Sequence, residues 1–201
     1  MGIKSLLSFI LIFLYTQSPF LLPIQKNNRK EISEIQLTEI GKYGILRKSR
    51  KNIPAHLHTG IDIIRPNKNY RNEPIFSIAE GIVISKRTDG PYAQLIIEHI
   101  IDNKIFWTVY EHIAGIMVNL NDLVSNDRPI ARFMNKEELN KYGWQFDHFH
   151  LEILKIKPAK LVPDKRFPER RFKSFTLICQ DTEELKKHYE NPIGFLKENL
   201  H

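Results

Sequence analysis

The sequence predicts a mainly β fold: an antiparallel β-rich domain with a few short helices. Between Pro74 and Tyr110, short β-branched and aromatic runs alternate with turns of Gly, Pro, Asn and Asp. Helical patterning is sparse. The stretch Asp147-His148-Phe149-His150-Leu151-Glu152 alternates histidines with apolar residues. On a strand that pattern puts both imidazoles on one face and Phe149 and Leu151 on the other.

The amino terminus comes first. Lys4 precedes an apolar run from Leu6 to Tyr15, and Pro19 and Pro23 punctuate a second apolar patch, Phe20 to Leu22. A basic start with ~7–15 apolar residues fits a secretory signal, whereas a spanning helix needs ~20. Thr16-Gln17-Ser18 offers small residues for cleavage, but Pro19 directly after them is unfavourable. Residues 1–24 are therefore read as a signal peptide or a membrane anchor, and an amino-terminal membrane contact stays open. Either way the rest is expected to be exported, to the periplasm, the cell envelope or the medium.

Residues 25–50, rich in Lys, Arg, Glu and Asn, read as a linker leading into a first strand around Gly44 to Arg47. The remainder, 51–199, reads as one domain. Its strands are expected at Pro74–Ile78, Gly81–Ser85, Leu95–His99 and Ile105–Tyr110, with turns at Asp89-Gly90-Pro91 and Asp102-Asn103. Helices are expected at Lys136–Tyr142, at Thr182–Tyr189, where Glu183 and Glu184 follow Thr182, and near Ile193–Glu198. The basic, proline-punctuated stretch from Lys157 to Asp181 reads as an insertion or edge hairpin with one strand at Phe175–Cys179. The inserted region as a whole spans about 157–190.

Composition narrows the function classes. The 201-residue chain is long enough for one proper core. Its formal charge of +7 suggests an anionic partner such as nucleic acid, a membrane surface or a wall polymer. The basic, aromatic segments Lys165-Arg166-Phe167 and Arg170-Arg171-Phe172 read as a solvated loop, so no nucleic-acid partner is expected. The lone Cys179 excludes an intrachain disulfide and a cysteine zinc site.

A second histidine cluster lies upstream at His56-Leu57-His58-Thr59-Gly60-Ile61-Asp62. A histidine and an aspartate three residues apart, with a glycine between, can turn an imidazole and a carboxylate towards one point. With His150 the set is N/N/O, which suits zinc and leaves a fourth position open, as in catalytic sites. The bland alternative is polar residues scattered through loops.

His58-Thr59-Gly60-Ile61-Asp62, Tyr110-Glu111-His112 and His148-Phe149-His150 occur in the order and spacing of the LytM/lysostaphin-type zinc metallopeptidases, which the chain resembles from about Gly44 to Ile156. Ala79-Glu80-Gly81-Ile82-Val83 and Asn191-Pro192-Ile193-Gly194-Phe195-Leu196 resemble that family's strand entry and closing motif. Asn121 and Asp127 stand where it usually has glycines, and both residue types tolerate positive φ. The resemblance implies an antiparallel β-sandwich with a groove across one sheet, and one Zn2+ held by His58, Asp62 and His150. It implies His148 as the general base that activates water and His112 as the group that holds or polarises the oxyanion. It implies hydrolysis of peptide cross-links in bacterial peptidoglycan, with the wall's peptide stems as partner. His56 reads as a rim residue, His99 as structural, and His188 and His201 as exposed. Glu152 shares the histidine face and reads either as an orienting partner or as part of the sheet edge.

Two features depart from the family pattern. Asp147 replaces a proline after a longer, charged segment 136–147, and Glu111 stands where small residues are common. Two rival readings stay on the table. A non-catalytic LytM-like module that binds wall or regulates other hydrolases would be expected to lose ligands, and none is lost here. A phosphocarrier-like domain also hosts paired histidines, but the secretory start and Asp62 argue against it.

Overall fold

The computed structural model describes residues 19–162, 165–173 and 179–200. The architecture is antiparallel β throughout, with three short helices: α1 (Lys136–Tyr142), α2 (Thr182–His188) and α3 (Pro192–Asn199). The strands are β1 (Leu46–Arg47), β2 (His56–Leu57), β3 (Ile61–Ile64), β4 (Pro74–Phe76), β5 (Gly81–Arg87), β6 (Gln94–Ile101) and β7 (Lys104–Glu111). They continue as β8 (Leu123–Val124), β9 (Pro129–Arg132), β10 (His148–Leu154), β11 (Ala159–Lys160), β12 (Phe172–Lys173) and β13 (Tyr189–Glu190). The main sheet has seven strands in the order β13-β10-β7-β6-β5-β8, with β3 pairing the free edge of β10 at its amino-terminal end.

Every strand expected between Pro74 and Tyr110 is present, and the three helices lie where the patterns put them. Asp102 and Asn103 both take positive φ, +49° and +63°, the backbone of a two-residue primed hairpin turn. Asn121 also takes positive φ, +68°, while Asp127 keeps an ordinary one. Helix α1 starts with a capping box: Asn135 accepts from the Glu138 amide and Glu138 accepts from the Asn135 amide.

Period-two alternation sorts the sheet's faces. Ile61, Ile63, Leu95, Ile97, Tyr110, Phe149, Leu151 and Ile153 point to one side, where they pack with Ile75, Ile130 and Phe133 from the β4–β9 pair. Leucine or isoleucine to alanine changes in such a core cost about 2–5 kcal/mol. The opposite face carries a smaller cluster, Ile96, Trp107, Val109 and Leu154, capped by Leu185 of α2, Tyr189 and Cys179. That cap covers one half of the face. The other half stays open as a groove.

The amino-terminal boundary differs from the sequence grouping. Phe20, Leu22 and Ile24 are buried in the main core, and the Ile24 backbone bridges to Ile75. The 25–50 segment is pinned too: Leu37 bridges to Ile63, and Ile32, Ile35 and Leu37 pack on the core. A short apolar patch reads the same in a leader and in a core, and isolated bridges leave no periodicity to detect. The inserted region forms the β11–β12 hairpin. The expected strand at Phe175–Cys179 lies, apart from Cys179, outside the described residues, as do the apolar run Leu6–Tyr15, the segment Thr16–Ser18 and His201.

His99 is a core residue. It is fully buried, stacks on Phe106 at 4.7 Å and joins the Glu80 carbonyl and Thr108 hydroxyl through its two ring nitrogens. Burial drives its pKa from the ordinary 6.5 to about 4. Between those values the unfolded chain binds the extra proton, so stability falls as pH drops from about 6.5 towards 4. Urea unfolding of wild type and His99→Gln at pH 7 and pH 5 is expected to show a smaller acid loss in the variant.

Candidate metal centre and groove

The site grows from one row of the sheet. The registers pair Gln94 with Glu111, Glu111 with His150, and His150 with Asp62. These four residues therefore stand side by side across β6, β7, β10 and β3, on the groove face. His148 lies two residues along β10 on the same face, and Glu152 two residues the other way. Gly60 has a steric reason: a Cβ there would lie 2.2 Å from the Leu151 carbonyl oxygen and 2.9 Å from the His150 ring.

His58, Asp62 and His150 form a buried group that could hold a metal ion. His58 Nε2 lies 3.0 Å from His150 Nδ1 and 3.2 Å from Asp62 Oδ1, and His150 Nδ1 lies 2.9 Å from the same oxygen. Two ligands of a tetrahedral zinc at ~2.0–2.1 Å sit about 3.3 Å apart, so this triangle is close to the size zinc needs. The outer contacts fix which atoms face inward. His58 Nδ1 is 3.0 Å from the Lys42 carbonyl, which only accepts, so Nδ1 carries the proton and Nε2 presents a lone pair. His150 Nε2 lies 3.2 Å from the Glu152 carboxylate, which leaves Nδ1 facing the centre. Arg47 Nη2 donates to Asp62 Oδ2 at 2.6 Å, so Oδ1 is the inward oxygen.

Three electron-rich atoms thus meet among buried side chains at the floor of the groove. Burial works against the Asp62 carboxylate, but His150 and His58 outweigh it and hold its pKa far below the usual range. Burial also opposes charge on His150, yet Asp62 and Glu152 prevail and raise it to about 10. A proton on His150 relieves the crowding, and a cation at the centre would do the same. Glu152 is fully buried and accepts from the Thr59 hydroxyl as well as facing His150, the partner expected of a ligating histidine.

The two remaining histidines stand beside this group. His148 Nε2 is 3.8 Å from Asp62 Oδ1, and the His148 ring meets the His112 ring edge-on at 5.2 Å. Burial lowers the pKa of both, His112 to about 3. His112 has φ +62°, a left-handed backbone uncommon for a non-glycine residue and a form of strain that gathers at functional sites. Its Nδ1 donates to the Pro91 carbonyl at 2.6 Å, so the neutral ring turns a lone pair at Nε2 outward. All five residues singled out from the sequence therefore meet at one end of one groove. His56 lines the groove without joining the triangle, and His188 sits at the end of α2, 3.9 Å from Glu184.

The groove is a cavity of about 940 Å3, walled on one side by Tyr92, Trp144 and Phe146. Asp147 is no loose substitute for a proline. Arg65, directly after β3, clamps it through Nε and Nη2, each at 2.8 Å, and so ties the end of the 136–147 segment to β3. Glu111 is buried beside His150 and accepts from Gln94 at 3.2 Å, and burial pushes its pKa up to about 7. Arg47, Gln94 and the Lys42 carbonyl escaped sequence reasoning, because no local pattern distinguishes them. Thr59 could have been found, since it sits inside the His58–Asp62 motif on a turn facing β10.

Several solved structures are similar to this chain. The structure of the antimicrobial peptidase lysostaphin from Staphylococcus simulans superposes with a TM-score of 0.53 at 14% identity, covering 92% of this chain and 57% of that one. A solution structure of lysostaphin gives 0.51 at 16% identity, covering 84% and 52%. A zinc-containing peptidase from Vibrio cholerae is 24% identical over 68% of this chain and 37% of its own, with a TM-score of 0.46. The chain thus spans between 37% and 57% of the length of these three. Comparison with curated protein sequences gives no match. The lysostaphin superpositions establish a shared fold. The sequence model of peptidase family M23 matches residues 56–162, more than half of the chain and the whole stretch from His58 to His150, so the chain belongs to peptidase family M23.

Proposed function

We propose that the protein is an exported zinc metalloendopeptidase that hydrolyses peptide cross-links of bacterial peptidoglycan. The single observation that carries this reading is the inward triangle of His58 Nε2, Asp62 Oδ1 and His150 Nδ1 at 2.9–3.2 Å, with His148 and His112 beside it. Zinc bound there would supply a Lewis acid for the scissile carbonyl and lower the pKa of water towards ~7.

The chain's own residues would do the rest. His148, neutral and low in pKa, takes the proton from the attacking water and later returns it to the leaving amine. His112 can donate to a developing oxyanion only with a proton on Nε2, because its Nδ1 proton is committed to Pro91. A negative charge growing beside it raises its proton affinity, the reverse of what burial does in the resting site. Glu152 and Lys42 hold the ligand rings in the required tautomers, and Arg47 keeps Asp62 oriented.

Export would follow from the amino-terminal apolar segment. Since Phe20 belongs to the core, processing would have to cut before it. Among the described residues no helix is long and apolar enough to cross a membrane. The charge of +7 would favour an anionic wall polymer, more weakly as salt rises.

Metal analysis of the purified full chain tests the centre. About one zinc per wild-type chain is expected, and no stoichiometric zinc would overturn the assignment. Glu152→Gln is expected to keep the fold and weaken zinc binding by about 10–100-fold, read by competition with a chromogenic chelator.

A further inference from the structure

Building on the proposed function, the groove also carries charge that the hydrolytic residues do not use. Arg47, Arg50 and Arg170 line the same cavity as the histidines. Arg47 is committed to Asp62, but its Nε is buried without a hydrogen-bond partner, and so is the Nε of Arg170. Among the described residues no ion pair joins Arg50 or Arg170 to a carboxylate. The acidic side chains of the wall are engaged elsewhere: Asp62 with Arg47, Asp147 with Arg65, and Glu111 with Gln94. Glu39 stays exposed at the rim.

Both free guanidiniums sit on pinned backbone. Arg50 exchanges two hydrogen bonds of 2.9 Å with Ile53 in the turn between β1 and β2. Arg170 bonds back to the Phe167 carbonyl at 3.0 Å, and the next amide, Arg171, donates to Ser85 Oγ at 3.0 Å. Arg170 lies in the β11–β12 hairpin, beyond the stretch 56–162 that matches the family model. A buried cationic N–H without an acceptor is costly, and one that opens on a ligand cavity is satisfied when a ligand brings the acceptor. The planar fork of a guanidinium matches a carboxylate best.

We propose that Arg50 and Arg170 select substrate peptides that carry a free carboxylate close to the scissile bond. The groove would then discriminate between peptide stems with ionised and amidated carboxyl groups. Neutral linkers without such a group would bind less well.

Two synthetic cross-linked peptides, identical except that one stem carboxylate is free or converted to carboxamide, test this with the full zinc-loaded chain. Binding is read by fluorescence anisotropy and cleavage by kcat and KM. Wild type is expected to bind the free acid about tenfold or more tightly, with the difference in KM rather than kcat. Arg170→Gln and Arg50→Gln are each expected to shrink that preference, and the double variant to bring it near one. Arg50→Gln alters an exposed side chain without hydrogen bonds, so it keeps the test valid if Arg170→Gln misfolds. A wild type without preference, or variants that weaken both peptides equally, would overturn the proposal. Preference in binding without any cleavage would support it while contradicting the hydrolytic reading.

Discussion

His148→Ala is expected to lower kcat on cross-linked peptides by about 10²–10⁴-fold while leaving bound zinc in place. The magnitude is that of losing a positioned base. The selectivity follows from geometry: His148 shares a strand face with His150 but lies 3.8 Å from Asp62 Oδ1, outside the 2.9–3.2 Å triangle. Steady-state kinetics with metal analysis on the same samples checks both halves. A variant that keeps its zinc and the wild-type rate would remove His148 from the chemistry. One that loses its zinc would make it a ligand.

Removing the metal is expected to abolish turnover and also to soften the fold. Without a cation, His58, Asp62 and His150 crowd lone pairs and a carboxylate into a buried site, relieved by a proton on His150 and by Arg47 on the outer oxygen of Asp62. Zinc at a hundred times its dissociation constant should stabilise the folded chain by about 2.7 kcal/mol. Calorimetry is expected to show a melting temperature that rises on zinc addition in wild type and stays flat in Asp62→Ala and His58→Ala. An equal rise in those variants would place the binding elsewhere.

The fold was largely legible because long, β-branched strands advertise themselves. β5, β6, β7 and β10 have seven or eight residues each, enough for alternation to show. The two-residue strands β1, β2, β8, β11, β12 and β13 are too short to carry a period, and only tertiary pairing defines them. The apolar patch at Phe20–Leu22 reads two ways for a physical reason: burial in a core and passage through a membrane select the same side chains. At the site, period two fixes the β10 pair and the turn at Gly60 aims His58 and Asp62, whereas His112 was reached only through the family resemblance. Charge was much less legible. Arg47 on Asp62, Arg65 on Asp147 and Gln94 on Glu111 join residues 15, 82 and 17 positions apart, pairings that only the tertiary fold creates.

The most direct test of the central claim is mass analysis of fragments released from isolated peptidoglycan by the zinc-loaded full chain, with and without a chelator. The expected result is new amino termini within the peptide cross-links, intact glycan strands, and no release once the metal is removed. Fragments cut in the glycan, cleavage that persists after chelation, or binding to the wall with no bond broken would contradict it.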